Sequence, residues 1–257
     1  MKTLIALMAL IPTFALAESP FDGTWKGRLD SVQFEGKPDV MELKDGLFTC
    51  RSCVPTYTIK ADGTDQAVPE HTTVDHQTLK IVNANTVERT FKKAGKVTLT
   101  NTLTASADGA KLSVKFTDYT SKSPVSGSFT ERRVAPGAAG AHAVSGSWMS
   151  EAIPEVTEAA LVVVFTSTPN GLQWSNFGRV YDAKFDGKEY PITGDTTQTT
   201  VTLRKISDHV IEESDHQEGK VYDIVTMTVA PDGKTITSVD VDPVHGTKTT
   251  MVYAKQP

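Results

Sequence analysis

Apolar and polar residues alternate with a period of two along most of this chain. Val97, Leu99 and Leu103 alternate with Thr98, Thr100, Thr102 and Thr104. Leu112, Val114 and Phe116 alternate with Ser113 and Lys115, and Val201 and Leu203 with Thr200 and Thr202. Successive side chains of an extended chain point to opposite faces, so the pattern predicts strands with one buried and one solvated face. Asp62-Gly63, Asp108-Gly109, Asp186-Gly187 and Asp232-Gly233 mark hairpin turns, because glycine accepts the positive φ that tight turns demand. Leu161-Val-Val-Val-Phe165 is a continuous apolar run and predicts a strand buried on both faces. No helical period stands out after the first residues.

The spacing of these signals repeats. Tyr57-Thr-Ile-Lys-Ala-Asp-Gly63 returns as Tyr181-Asp-Ala-Lys-Phe-Asp-Gly187, and the ungapped segments 57–113 and 181–237 share 16 identities in 57 positions. Glu88 meets Glu212, Gly95-Lys-Val97 meets Gly219-Lys-Val221, and the openings Phe21-Asp-Gly-Thr-Trp25 and Val144-Ser-Gly-Ser-Trp148 correspond as well. So many turns in register point to one unit used twice. The expected boundaries are residues 18–133 for the first repeat, an Ala/Gly/Pro-rich linker over 134–144, and 145–257 for the second. Turn signals recur about every 8 to 12 residues, so each repeat reads as an antiparallel meander. A meander of that many strands hides its edges by closing into a barrel, which gives an all-β chain of two tandem β-barrels.

Composition supports this reading. The chain holds 35 Thr and 26 Val against 14 Leu, an excess of residues that suit pleated, half-buried surfaces. Its net charge of −5 offers no footprint for nucleic acid. Lys2, the apolar run Leu4–Phe14 and the small-x-small Ala15-Leu-Ala17 form an export-signal pattern, so residues 1–17 are expected to be removed and the protein to be periplasmic or secreted. That run is too short to span a membrane.

Gly23-Thr-Trp-Lys26 near the start of a meander and Val252-Tyr-Ala-Lys255 at its end resemble the opening and closing of calycin barrels, the lipocalins and fatty-acid-binding proteins. The pattern of Tyr181, Asp186-Gly187, Pro191, Gly194, Glu212, Gly219-Lys220 and Asp232-Gly-Lys234 is similar to that of exported bacterial lipocalin-like proteins with two such units. The resemblance implies a calycin-type fold and an internal cavity for a small apolar or amphipathic ligand. It differs at one place: where intracellular fatty-acid carriers end in Arg-x-Tyr, this chain has Met251-Val-Tyr253.

Candidate chemistry is sparse. Cys50 and Cys53 are the only cysteines, and in an oxidising compartment two lone cysteines three apart most simply form a disulfide. At the repeat offset they correspond to Trp174 and Phe177, so the unbridged half carries aromatic bulk there. Cys50, Cys53, His71 and His76 also fall in a loose zinc spacing, although the two histidines have opposite strand parity. Asp208-His209 and Asp215-His216 cannot act as oriented dyads on a strand, and Ser214–Lys220 reads as a solvated hairpin tip. Glu151, Glu155 and Glu158 read as an exposed acidic connection. No glycine-rich loop opens a helix, so no cofactor is expected. Trp25 and Trp148 occupy equivalent positions, whereas Trp174 is unique to the second repeat; all three are candidates for ligand contact, the paired ones also for core plugs. Three functions stay open: a carrier of a small hydrophobic ligand, a ligand-free interaction or structural module of the envelope, and a redox protein using Cys50 and Cys53.

Overall fold

The computed structural model describes residues 19–71 and 74–257. The expected export signal, 1–17, lies outside them, as do the side chains of Glu70 and His71. The fold is all-β: two ten-stranded antiparallel sheets, each curled into a nearly closed barrel. The first barrel contains β2 (Asp39–Lys44), β3 (Leu47–Cys50), β4 (Tyr57–Lys60), β5 (Gln66–His71) and β6 (Val74–Asn83). It continues through β7 (Thr86–Lys93), β8 (Lys96–Ala105), β9 (Lys111–Asp118), β10 (Val125–Pro136) and β11 (Gly146–Val156). The second contains β1 (Gly23–Gly36), β12 (Val162–Thr168), β13 (Gly171–Asn176), β14 (Arg179–Lys184) and β15 (Tyr190–Pro191). It is completed by β16 (Thr200–Ser207), β17 (Val210–Gln217), β18 (Lys220–Val229), β19 (Thr235–Asp242) and β20 (Thr247–Lys255).

Short bridges close the two seams. In the first barrel Asp62 bridges to Lys80, and the Gly63 amide donates to the Leu79 carbonyl at 2.8 Å. In the second, Val180 and Thr193 exchange both backbone hydrogen bonds, at 2.9 and 2.8 Å. Among the described residues the one helical element is a 3-10 turn at Glu158–Leu161, and no helix is long and apolar enough to cross a membrane.

Sheet membership departs from the repeat boundaries at each opening strand. β1, which carries Trp25, lies between β12 and β20 of the second barrel, with Trp25 opposite both Val163 and Lys255. β11, which carries Trp148, lies between β10 and β2 of the first, with Trp148 opposite Arg133 and Asp39. The first barrel is thus the continuous stretch 39–156, and the second is assembled from both sides of it. At the β1–β2 crossing stands Pro38, which has no backbone N–H for a sheet ladder. Residues 134–144, expected to link two domains, join β10 to β11 within one sheet. The His142 amide donates to the Leu43 carbonyl at 2.8 Å, and Val144 is fully buried.

The four Asp-Gly turns share one geometry. Gly63, Gly109, Gly187 and Gly233 have φ of 79°, 68°, 71° and 67°. In each, the aspartate carboxylate accepts the amide of the residue after the glycine at 2.9–3.1 Å. Two local expectations change. Val162–Phe165 alternates, with Val163 and Phe165 buried and Val162 and Val164 half-buried, so it is not buried on both faces. In β8 a register shift beside Lys92 inverts parity, leaving Val97 exposed and Thr98 buried.

Candidate functional site

Both barrels are plugged at one end in the same way. Trp25 and Trp148 are fully buried, and each indole Nε1 donates to a carbonyl four residues back, Phe21 at 2.7 Å and Val144 at 2.9 Å. A cation covers each ring: Lys255 Nζ lies 5.1 Å from the Trp25 centroid, and the Arg133 guanidinium 4.0 Å from that of Trp148. Arg133 also donates to the carbonyls of Gly109, Ser145 and Ala143. These two tryptophans are sealed in the cores, away from the cavities described below.

The interiors above the plugs differ. In the first barrel Phe48, Leu79, Leu103 and Leu112 are fully buried, and a space of about 180 Å³ lies among Phe48, Phe91, Leu103 and Val114. Some of its polar groups answer one another, whereas Gln77 Nε2 and Glu131 Oε2 are buried without partners. Arg89 Nε donates to Asn101 Oδ1 at 2.8 Å and shares the space with Glu131. Burial pushes the Glu131 carboxyl up to about 7, with Asp39 adding to the shift and Arg89 opposing it.

The second barrel, with Val74, Thr98, Leu99, Asp118 and Thr120 of the first, lines a chamber of about 490 Å³. Part of its lining is apolar, formed by Phe165, Trp174, Ile192, Met227, Ile236 and Tyr253, with Trp174 stacked on Tyr181 at 5.3 Å between centroids. Another part is acidic. Glu213 and Asp215 project from β17, Asp223 from β18 and Asp240 from β19. Asp215 and Asp223 are direct cross-strand partners; the same register position in the first barrel pairs Phe91 with Leu99. Like charges facing each other across a ladder destabilise it, so this acid pair is held against local preference.

Burial is the main cause that raises the proton affinity of Glu213, Asp215, Asp223 and Asp240, and the crowding of carboxyl groups adds to it. The Tyr181 hydroxyl donates to Glu213 at 2.6 Å. Burial and that carboxylate together lift the Tyr181 phenol well above its ordinary value. Asp195 behaves differently: burial pushes it up, but hydrogen bonds from Thr199 and Thr197 outweigh this and hold it low.

Because the four wall carboxyls bind protons more tightly in the folded than in the unfolded chain, the native state holds extra protons from about pH 4 up to their raised values. The stability they confer is complete at the acid end of that window and is lost as pH rises through it. The melting temperature of the ligand-free protein is therefore expected to fall by at least about 3 °C between about pH 5.5 and 8.5. Scanning calorimetry checks this, and a flat or rising profile would contradict it.

The mouth of the chamber is covered by the first barrel. Thr120 accepts from Arg179 Nη2 through its hydroxyl at 2.5 Å, and its carbonyl accepts from the Thr196 amide and hydroxyl at 2.9 and 2.8 Å. Ser121 bridges to Asp195. Beside the chamber lies a second space of about 550 Å³ between the barrels, lined by apolar groups including Leu29, Phe34, Phe116, Ile153 and Met251. Leu99, Ala160 and Tyr253 line both spaces. No family model, curated protein or solved structure matches this chain. The geometry of the chamber therefore carries the functional argument.

The remaining sequence candidates lie elsewhere. Cys50 and Cys53 stand at disulfide distance, with Cα atoms 5.4 Å apart, and Cys50 packs into the first core against Tyr57. Their counterparts part company, Trp174 lining the chamber and Phe177 sitting in a turn at φ 46°. His76 Nδ1 meets Asp75 at 3.0 Å. Among the described residues no three His, Cys, Asp or Glu side chains converge on a metal-sized point. Glu151 and Glu155 are exposed on β11, and Glu158 pairs with Lys26.

One expectation is corrected. Ser214–Gln217, read as solvated loop, belongs to β17, and Asp215 and Gln217 face the chamber. The signal was the parity of Glu213, Asp215 and Gln217 with buried Ile211, masked by their polarity.

Proposed function

We propose that this protein is an exported lipocalin-like binding protein whose second barrel holds one small amphipathic molecule. The observation that supports the reading is the contrast between duplicated units: one interior is packed to about 180 Å³, and the other is open to about 490 Å³ with an apolar wall. Binding cavities typically occupy about 300–1,000 Å³, are largely apolar and carry a few converging polar groups. The filled first barrel serves as scaffold and, through Thr120 and Ser121, as cover for the chamber mouth.

The test uses N-phenyl-1-naphthylamine, an uncharged apolar fluorophore. One molecule is expected to bind per chain with Kd below about 100 µM, and Trp174→Ala, which removes chamber wall, is expected to weaken it about tenfold. No fluorescence gain, or a gain indifferent to Trp174, would overturn the proposal.

A further inference from the structure

The acidic wall has no cation to answer it. Among the described residues six acidic side chains line the chamber, Asp118, Asp195, Glu213, Asp215, Asp223 and Asp240, against one basic side chain, Arg179. Arg179 is engaged at the mouth with the Thr120 hydroxyl. In the first barrel the position of Glu213 is taken by Arg89, and those of Asp215, Asp223 and Asp240 by Phe91, Leu99 and Phe116. One copy of the unit has therefore neutral or basic groups at all four positions where the other has carboxyls.

A second observation concerns hydrogen bonding. Gln217 is 4% exposed and lines the chamber; its Nε2 donates to Thr199 and Thr197 at 3.1 and 3.2 Å, but its Oε1 has no partner. Asp215 Oδ1 and Asp223 Oδ1 are likewise buried and unpartnered. Arg179 Nε, at the mouth, is a buried donor without a partner, but the unmet groups beside Asp215 and Asp223 are acceptors, and a buried acceptor left unmade is costly. An occupant that satisfies them brings N–H donors, and the apolar side chains of the same lining ask for hydrocarbon.

Resting on the reading of the chamber as a ligand site, we infer that it takes the ammonium group of an aliphatic amine. The ammonium sits among Asp215, Asp223, Asp240 and Gln217. The alkyl chain lies along Trp174, Met227 and Tyr253 toward the apolar space between the barrels. An ammonium supplies three donors and one charge in a compact group, which suits carboxylates crowded on adjacent strands. A carboxylate headgroup brings acceptors alone and leaves Gln217 Oε1 unmet.

Three ligands of one chain length separate the possibilities: decylamine, decanol and decanoate, each titrated against the bound naphthylamine probe at neutral pH. Decylammonium is expected to displace the probe at about tenfold lower concentration than decanol, and decanoate to be the weakest. In Asp223→Asn/Asp240→Asn the advantage of decylammonium over decanol is expected to vanish. Asparagine keeps the shape of each side chain and carries no charge to bury, so the melting temperature of that variant should hold, which keeps the result interpretable. Equal or better displacement by decanol or decanoate overturns the inference and leaves the binding chamber standing. Failure of the probe and all three ligands to bind overturns both.

Discussion

Trp25→Ala is expected to cost about 3–5 kcal/mol, the usual range for emptying a buried aromatic site. The indole is fully buried, packs in the second core with Phe21 and Phe165, and carries the Lys255 ammonium over its face. Its Nε1 bond to Phe21 ties the entry segment of β1 to the base of the barrel. Truncation removes the packing and leaves the Phe21 carbonyl without its donor. Urea unfolding of Trp25→Ala in a Trp148→Phe background, followed by the emission of Trp174, reads the loss in the second barrel. Because the strand exchange assigns Trp25 to that barrel, hydrogen exchange should rise in β12–β20 far more than in β2–β10. A loss below about 1 kcal/mol would show that the site is not a core plug.

Removing β1 is the more drastic change. A chain lacking residues 19–36 loses the strand that joins β12 to β20, and with it Trp25 and the sheet contacts that β1 makes across that seam. Edge strands left unpaired expose a row of backbone donors and acceptors, and a barrel opened there cannot keep its chamber. Slow hydrogen exchange is expected to vanish throughout β12–β20 and to persist in β2–β11, which form a continuous stretch with their own core. Had each repeat kept its own opening strand, the same deletion would expose β2 and β10 instead.

These two results bear on what the sequence could reveal. The turns were legible because Asp-Gly dictates its own local geometry, and the alternation of Leu112, Val114 and Phe116 placed a strand wherever the period held. The duplication was legible because turns and core positions recur in register. The exchange of β1 and β11 was not. Phe21–Trp25 and Val144–Trp148 present the same pattern to either barrel, and pairing between residues more than a hundred positions apart leaves no local trace. Thr98 was misassigned for a related reason, since a register shift beside Lys92 inverts parity without changing composition.

The chamber itself was half legible. Trp174 stood out as unmatched between repeats, and the structure puts it on the chamber wall. The acids of β17 to β19 were hidden by the rule that polar residues point outward. Asp215 and Asp223 break that rule at positions where Phe91 and Leu99 obey it, so the comparison of repeats held the signal all along. Departures from local preference of this kind concentrate where function sets the choice.

The second barrel is a chamber because it carries acids where the first carries Phe91, Leu99 and Phe116. Copying the first barrel's side chains into it, as Asp215→Phe, Asp223→Leu and Asp240→Phe together, tests this directly. Binding of N-phenyl-1-naphthylamine, measured beside the melting temperature, is predicted to be lost while the melting temperature rises, since bulk fills the space and buried like charges disappear. Undiminished binding in a folded triple variant would contradict the claim.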